Sequence, residues 1–121
     1  MVNCTELLTA PLFKGLLASL RKIEKLSENQ IPLTVCPLSN IKLRIFNKLE
    51  DHNLKKMLDK KLMVMINSDD PAYFGGYLNQ NLIETQAALN LSQDEVKTLL
   101  VNSFKSSFLS EESKKEWINK I

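Results

Sequence analysis

Residues 62–66 read Leu-Met-Val-Met-Ile, five consecutive apolar side chains, and run straight into Asn67-Ser68-Asp69-Asp70-Pro71. A strand alternates its side chains between two faces, so unbroken apolarity predicts burial on both, as in a parallel strand covered by helices. Residues 33–36 form a second such run, bounded by Pro32 and Pro37. Two short doubly apolar strands need helices above and below and further strands beside them. A chain of 121 residues has room for one domain with a modest core. The two strands look more demanding than the chain's own supply of partners. The expected fold is therefore α/β and helix-rich, a piece of a larger α/β architecture.

The helices read from apolar spacing. Leu16, Leu17, Leu20, Ile23 and Leu26 share one face, with Arg21, Lys22, Glu24 and Lys25 between them. Asp51 is placed to cap a short helix carrying Leu54, Met57 and Leu58. A longer helix is expected over residues 76–89. Ser92-Gln93-Asp94-Glu95 is a capping box ahead of Val96, Leu99, Leu100 and Phe104. Ser110, Glu111 and Glu112 start a last helix ending near Trp117, Ile118 and Ile121. Residues 38–49 follow no clear period.

Composition removes several function classes. Lys+Arg 16 against Asp+Glu 14 leaves a net charge of +2, too small to point to nucleic acid or a membrane surface. No run of about 18 apolar residues exists, so no transmembrane span is expected. Cys4 and Cys36 lack the spacing of a disulfide framework, which fits a reduced, cytoplasmic setting. The N-terminal segment, broken by Pro11 and Lys14, makes a poor signal peptide. With one histidine, His52, and two separated thiols, the chain cannot build a His-rich zinc site alone.

The chemistry then falls to a few clusters. Asp69-Asp70 leaves the apolar strand at the end where α/β folds bind ligands. Adjacent residues leaving a strand diverge, so one carboxylate can hold a metal while the other meets a substrate; Asp-Asp-Pro is equally good turn chemistry. Phe74-Gly75-Gly76-Tyr77 lacks the spacing of a phosphate loop and reads as a tight turn. Cys36 reads as a buried structural thiol and His52 as a capping or packing imidazole. Lys55, Lys56, Lys60 and Lys61 read as a solvated helix face.

Two longer stretches resemble a known family. Residues 31–43, Ile-Pro-Leu-Thr-Val-Cys-Pro-Leu-Ser-Asn-Ile-Lys-Leu, resemble the penultimate strand and loop of the adenosine/adenine deaminases. Residues 67–77, Asn-Ser-Asp-Asp-Pro-Ala-Tyr-Phe-Gly-Gly-Tyr, resemble that family's last strand and loop, in the form of its adenine deaminase branch. Asn102-Ser103-Phe104 and Ser107-Phe108-Leu109 resemble its C-terminal helices. The similarity runs from about residue 23 to the end, leaving 1–22 as a poorly matched segment and 23–121 as a single partial domain.

The resemblance implies the end of a (β/α)8 TIM barrel: its last two strands and their helices, from a fold of about 250 residues. It implies a zinc-dependent hydrolase that deaminates adenine or adenosine. In that family a His-x-His pair, a further His and a strand-end Asp hold the metal, and a Glu and another His move protons. Asp69 matches the metal-binding Asp, and Asp70 matches the neighbour that hydrogen-bonds the purine. The histidines and the Glu have no counterpart here, so no catalytic residue is assigned in this chain. The chain alone is expected to bind no stable zinc and to be inactive, and to act on a purine only if complemented by an N-terminal barrel piece. The alternative is a non-catalytic interaction module derived from the barrel.

Overall fold

The computed structural model describes residues 2–3 and 16–121, with side chains from residue 21 onward. Three short parallel strands pair in the order β1 (Val2–Asn3), β2 (Leu33–Val35), β3 (Val64–Ile66). Val2 and Asn3 lie opposite Leu33 and Thr34, and Leu33, Thr34 and Val35 lie opposite Val64, Met65 and Ile66. The strand run expected over 62–66 is thus trimmed to its last three residues, and a third strand joins from a segment that carries no family match. Cys4, Pro11 and Lys14 lie outside the described residues.

Helix α1 (Leu16–Glu28) precedes β2, and α2 (Pro37–Lys42) follows it at once. A 3-10 turn (Leu49–Asp51) leads to α3 (Leu54–Asp59) and then β3. After β3 come α4 (Pro71–Phe74), α5 (Leu78–Leu89), α6 (Gln93–Lys105) and α7 (Glu111–Ile118). The spacing-based helices therefore stand at α1, α3, α5, α6 and α7. The helix expected over 76–89 starts two positions late because Gly75 and Gly76 both take positive φ.

Pleating sorts the strands into two faces. Leu33, Val35, Val64 and Ile66 enter one core with Leu54, Met57, Leu62, Leu91 and Leu99. Ile23 and Leu26 of α1 and Leu82 of α5 pack against it. Thr34, Met65 and Asn67 alternate to the other face, where the Asn67 amide donates to the Thr34 hydroxyl. Met65 is nonetheless only 4% exposed. Burial on both faces of β3 holds, while the expectation that the chain has too few partners to bury it is corrected. Helix α6, packed along β3, supplies much of the missing cover.

Asn102 shows how α6 treats the strand's free side. Leu33 and Asn67 N–H donate to Met63 and Val35 carbonyls, so alternate residues 63, 65 and 67 serve the β2 ladder. Val64 faces away from β2. Its N–H donates to Leu62 O at 2.9 Å, and its carbonyl accepts from the Asn102 amide at 2.8 Å. Asn102→Leu should leave that buried carbonyl unpaired and cost about 1–3 kcal/mol in urea unfolding. A loss within error of zero would show the carbonyl finds another partner.

Two helix starts expected from residue type have different outcomes. The capping box is present: Ser92 Oγ accepts from Glu95 N–H, and Glu95 Oε2 accepts from Ser92 N–H at 2.7 Å. Lys55 of α3 adds a 3.0 Å ion pair to Glu95, which ties α3 to α6. Asp51, by contrast, does not cap α3. It lies within the 3-10 turn, and the cap position is Asn53, whose side chain makes no capping bond. His52 does that work instead: its Nδ1 accepts from Leu54 N–H at 3.1 Å.

Candidate active site

The C-terminal ends of β2 and β3 point the same way because the strands are parallel. Each is followed within five residues by a proline-initiated helix, α2 at Pro37 and α4 at Pro71. Proline suits the first helical position, where its missing N–H has no partner to lose. The result is a small shelf beyond the strand ends, built from the two stretches that carry the family resemblance. Asn67 fastens the shelf to the sheet through Val35 O at 2.8 Å and through Thr34 Oγ1.

Asp69 and Asp70 both sit on this shelf, exposed, with different partners. Their divergence does not come from strand alternation, since β3 ends at Ile66. It comes from Asp69, which takes a left-handed backbone, φ 60°. Asp is among the few residues that tolerate that region. Asp69 turns its Oδ2 to the Ser39 hydroxyl, which donates at 2.8 Å. Asp70 instead caps α4: its Oδ1 accepts from Ala72 N–H at 3.0 Å and Tyr73 N–H at 3.2 Å. The turn chemistry and a free carboxylate edge thus coexist in Asp-Asp-Pro.

Cys36 lies beside Asp69. Burial pushes its thiol up to about 11, the Asp69 charge adds to the rise, and the Asp69 backbone N–H, donating to sulfur, opposes it. The thiol stays protonated near neutrality and is no nucleophile. His52 is 4% exposed and spends both ring nitrogens inside the protein. With Nδ1 accepting from Leu54, the proton is on Nε2, which donates to Asn40 Oδ1 at 3.0 Å. Burial lowers its pKa to about 4. The packing and capping role expected of His52 is its observed one. Lys55 of the lysine cluster is engaged with Glu95.

A zinc centre takes three or four protein donors from nitrogen, sulfur or oxygen. Among the described residues no three His, Cys, Asp or Glu side chains gather in such an arrangement. Asp69 fits as one donor of a centre, with Oδ2 held by Ser39 and Oδ1 accepting no hydrogen bond among the described residues. It does not fit as a whole centre.

The glycine turn positions the shelf's outer part. Gly76 has φ 101°, and a Cβ there would meet Leu38 Cδ1 at 2.6 Å. The turn is locked from behind by Asn81, which is fully buried. Asn81 Oδ1 accepts from Leu38 N–H at 3.2 Å, and its amide donates to Gly76 O at 3.2 Å and Tyr77 O at 3.1 Å. Beside it an open cleft of about 330 Å³ is floored by Leu38, Ile41 and Phe74. Ser39, Asn40 and Asn81 are residues that pattern reading passes over. They are small polar side chains at positions where a helix would bury something apolar, which is their one visible signal.

The adenosine deaminase family model matches residues 18–121. Adenine deaminase of Chlorobium phaeobacteroides (strain BS1) is 57% identical over 99 residues, covering 82% of this chain and 30% of that protein. Adenine deaminase of Acinetobacter baylyi is 50% identical over the same share of each. The crystal structure of adenine deaminase from Arthrobacter aurescens matches with a TM-score of 0.78 at 47% identity, covering 80% of this chain and 30% of that one. An Arabidopsis N6-mAMP deaminase structure shares the fold, TM-score 0.71 at 21% identity, over 84% of this chain and 31% of that one. The chain thus spans about 30% of the length of the relatives it matches, and its parallel strands and helices are a fragment of their TIM barrel. The chain belongs to the adenosine deaminase family, as a C-terminal portion of its adenine deaminase branch.

Proposed function

We propose that this chain supplies the aspartate end of a zinc-dependent purine deaminase site, which hydrolyses adenine to hypoxanthine and ammonia once the rest of the barrel is present. The observation that carries this reading is the pair Asp69-Asp70 on the shelf beyond β3, within a chain 57% identical to an adenine deaminase. Asp69 is read as a metal ligand through its free Oδ1, and Asp70 as the group that meets the purine. When bound, zinc would supply the Lewis acidity that activates water for attack at the amino-bearing carbon.

The chain's own residues do the placing. The left-handed turn at Asp69 separates the two carboxylates. Among the described residues Asp70 Oδ2 accepts no hydrogen bond while Oδ1 holds Ala72 and Tyr73, so a ring N–H can be met without melting α4. Preference for the free base over the nucleoside rests on residues 72–77 and on relatives named adenine deaminase. The remaining ligands and the proton-moving groups come from a complementary N-terminal barrel piece. A cytoplasmic setting belongs to the same proposal. Among the described residues no helix is long and apolar enough to cross a membrane.

The test is complementation. The chain is co-expressed with the N-terminal part of the Chlorobium phaeobacteroides enzyme that it does not cover, and the purified material is assayed for zinc and for ammonia release. The isolated chain should hold no stoichiometric zinc and deaminate nothing. The assembled pair should hold about one zinc and convert adenine in preference to adenosine. One tightly bound zinc on the isolated chain overturns the reading that the other ligands lie outside these 121 residues. An assembled pair that prefers adenosine overturns the substrate assignment.

A further inference from the structure

We propose that Ser39 is the positioning residue of Asp69, fixing which carboxylate oxygen is presented for coordination. This rests on the reading of Asp69 as a metal ligand, and it assigns a role to a side chain outside the Asp-Asp pair. Two observations support it. Ser39 is 1% exposed, whereas the carboxylate it bonds is exposed. A buried hydroxyl donating to a solvent-facing carboxylate at 2.8 Å orients the acceptor more than it is oriented by it.

Second, Ser39 stands on a rigid seat. Pro37 opens its helix, the Leu38 N–H is held by buried Asn81, and the Ser39 carbonyl accepts from Leu43 N–H at 2.9 Å. Its hydroxyl is thus placed by β2 and α5 rather than by the loop that carries Asp69. The Asp69 carboxylate is therefore referred to the helix that follows β2. An exposed aspartate on a left-handed turn would otherwise sample several rotamers, and preorganisation would be lost. With Oδ2 occupied, Oδ1 is the oxygen left to coordinate. A ligating carboxylate normally has such a hydrogen-bonding partner, and its loss costs roughly 10–100-fold in metal affinity.

Two measurements separate this role from the ligand reading on which it rests. The first uses the isotope-labelled 121-residue chain without metal and reads three-bond couplings across the Asp69 Cα–Cβ bond. One staggered rotamer is expected in the parent, averaged rotamers in Ser39→Ala, and a single rotamer again in Ser39→Thr. Averaging already present in the parent, or no change in Ser39→Ala, overturns the proposal.

The second measurement takes zinc affinity of the complemented enzyme by chelator competition. Ser39→Ala should weaken it by roughly 10–100-fold and Ser39→Thr should restore it. Asn102→Leu, which destabilises the fold away from Asp69, should leave it unchanged. If Asp69→Ala weakens zinc binding while Ser39→Ala does not, the positioning role is wrong. If Asp69→Ala itself leaves zinc affinity intact, the ligand reading is wrong, and the rotamer result stands as a property of the turn alone.

Discussion

Asn81→Leu should cost about 2–5 kcal/mol and lower the melting temperature by roughly 10–20 °C. The two side chains are close in volume, so no cavity term enters and the loss is polar. Leu38 N–H is one of the first donors of α2, which no local side chain satisfies because Cys36 at the cap position makes no capping bond. Asn81 of α5 caps it across the fold at 3.2 Å. Its amide also holds Gly76 O, while Tyr77 O retains the Asn81 backbone N–H at 3.0 Å. Leucine therefore strands one half-buried donor and one half-buried acceptor, at about 1–2.5 kcal/mol each. Against the roughly 5–15 kcal/mol that holds an ordinary domain together, that is a large share. Asn81→Asp separates the two halves, because it keeps the acceptor for Leu38 and loses the donor to Gly76. Thermal unfolding followed by circular dichroism reads both variants. A Leu variant melting within about 3 °C of the parent would show that Leu38 N–H and Gly76 O are not held as the geometry has them.

The same residue marks the limit of what the chain discloses as a string. Elements stated by local rules are legible. The Ser92–Glu95 box, the Ser110 cap of α7 and the apolar runs of β2 and β3 all depend on neighbours within four residues; the two caps are where spacing places them, and each strand takes three residues of its run. Elements held by distant partners are not. Helix α2 has six residues, no periodic stripe and a cap supplied by Asn81, 43 positions away. Asp51 has the type and position of a cap, yet the backbone spends it in a 3-10 turn and a buried imidazole takes the task.

The candidate site divides the same way. Asp69 and Asp70 stand out because two adjacent carboxylates after an apolar strand are conspicuous. Their support does not, since Ser39 lies 30 residues upstream and is an ordinary serine until the fold brings β2 beside β3. Nor does the left-handed turn at Asp69 show in the sequence, because aspartate only tolerates that conformation and does not require it. The resemblance singles out the two carboxylates. The geometry adds what steers one of them.

Acid should destabilise the chain through His52, and the sign follows from its burial. The folded pKa is held at about 4 against an ordinary value near 6.5, so between those pH values the unfolded chain binds the proton and the native one does not. Stability therefore rises with pH across that window. The contribution is complete above about pH 6.5, falls as pH drops, and is exhausted near pH 4, where the native imidazole also protonates. A shift of this size is worth about 3 kcal/mol. The structural reason is visible at both nitrogens. Protonating Nδ1 would set its new N–H against the Leu54 N–H at 3.1 Å and uncap α3, in a pocket closed by Phe46 at 4.6 Å and Asn40. Urea unfolding of the parent and of His52→Gln at pH 7 and pH 4.5 isolates the effect. Carboxylate titrations are common to both chains and cancel in the comparison. His52→Gln should be less stable at pH 7, and the gap should narrow by about 2–3 kcal/mol at pH 4.5. Parallel pH profiles for the two chains would show that the imidazole is already solvated, and that the α3 cap is made by something else.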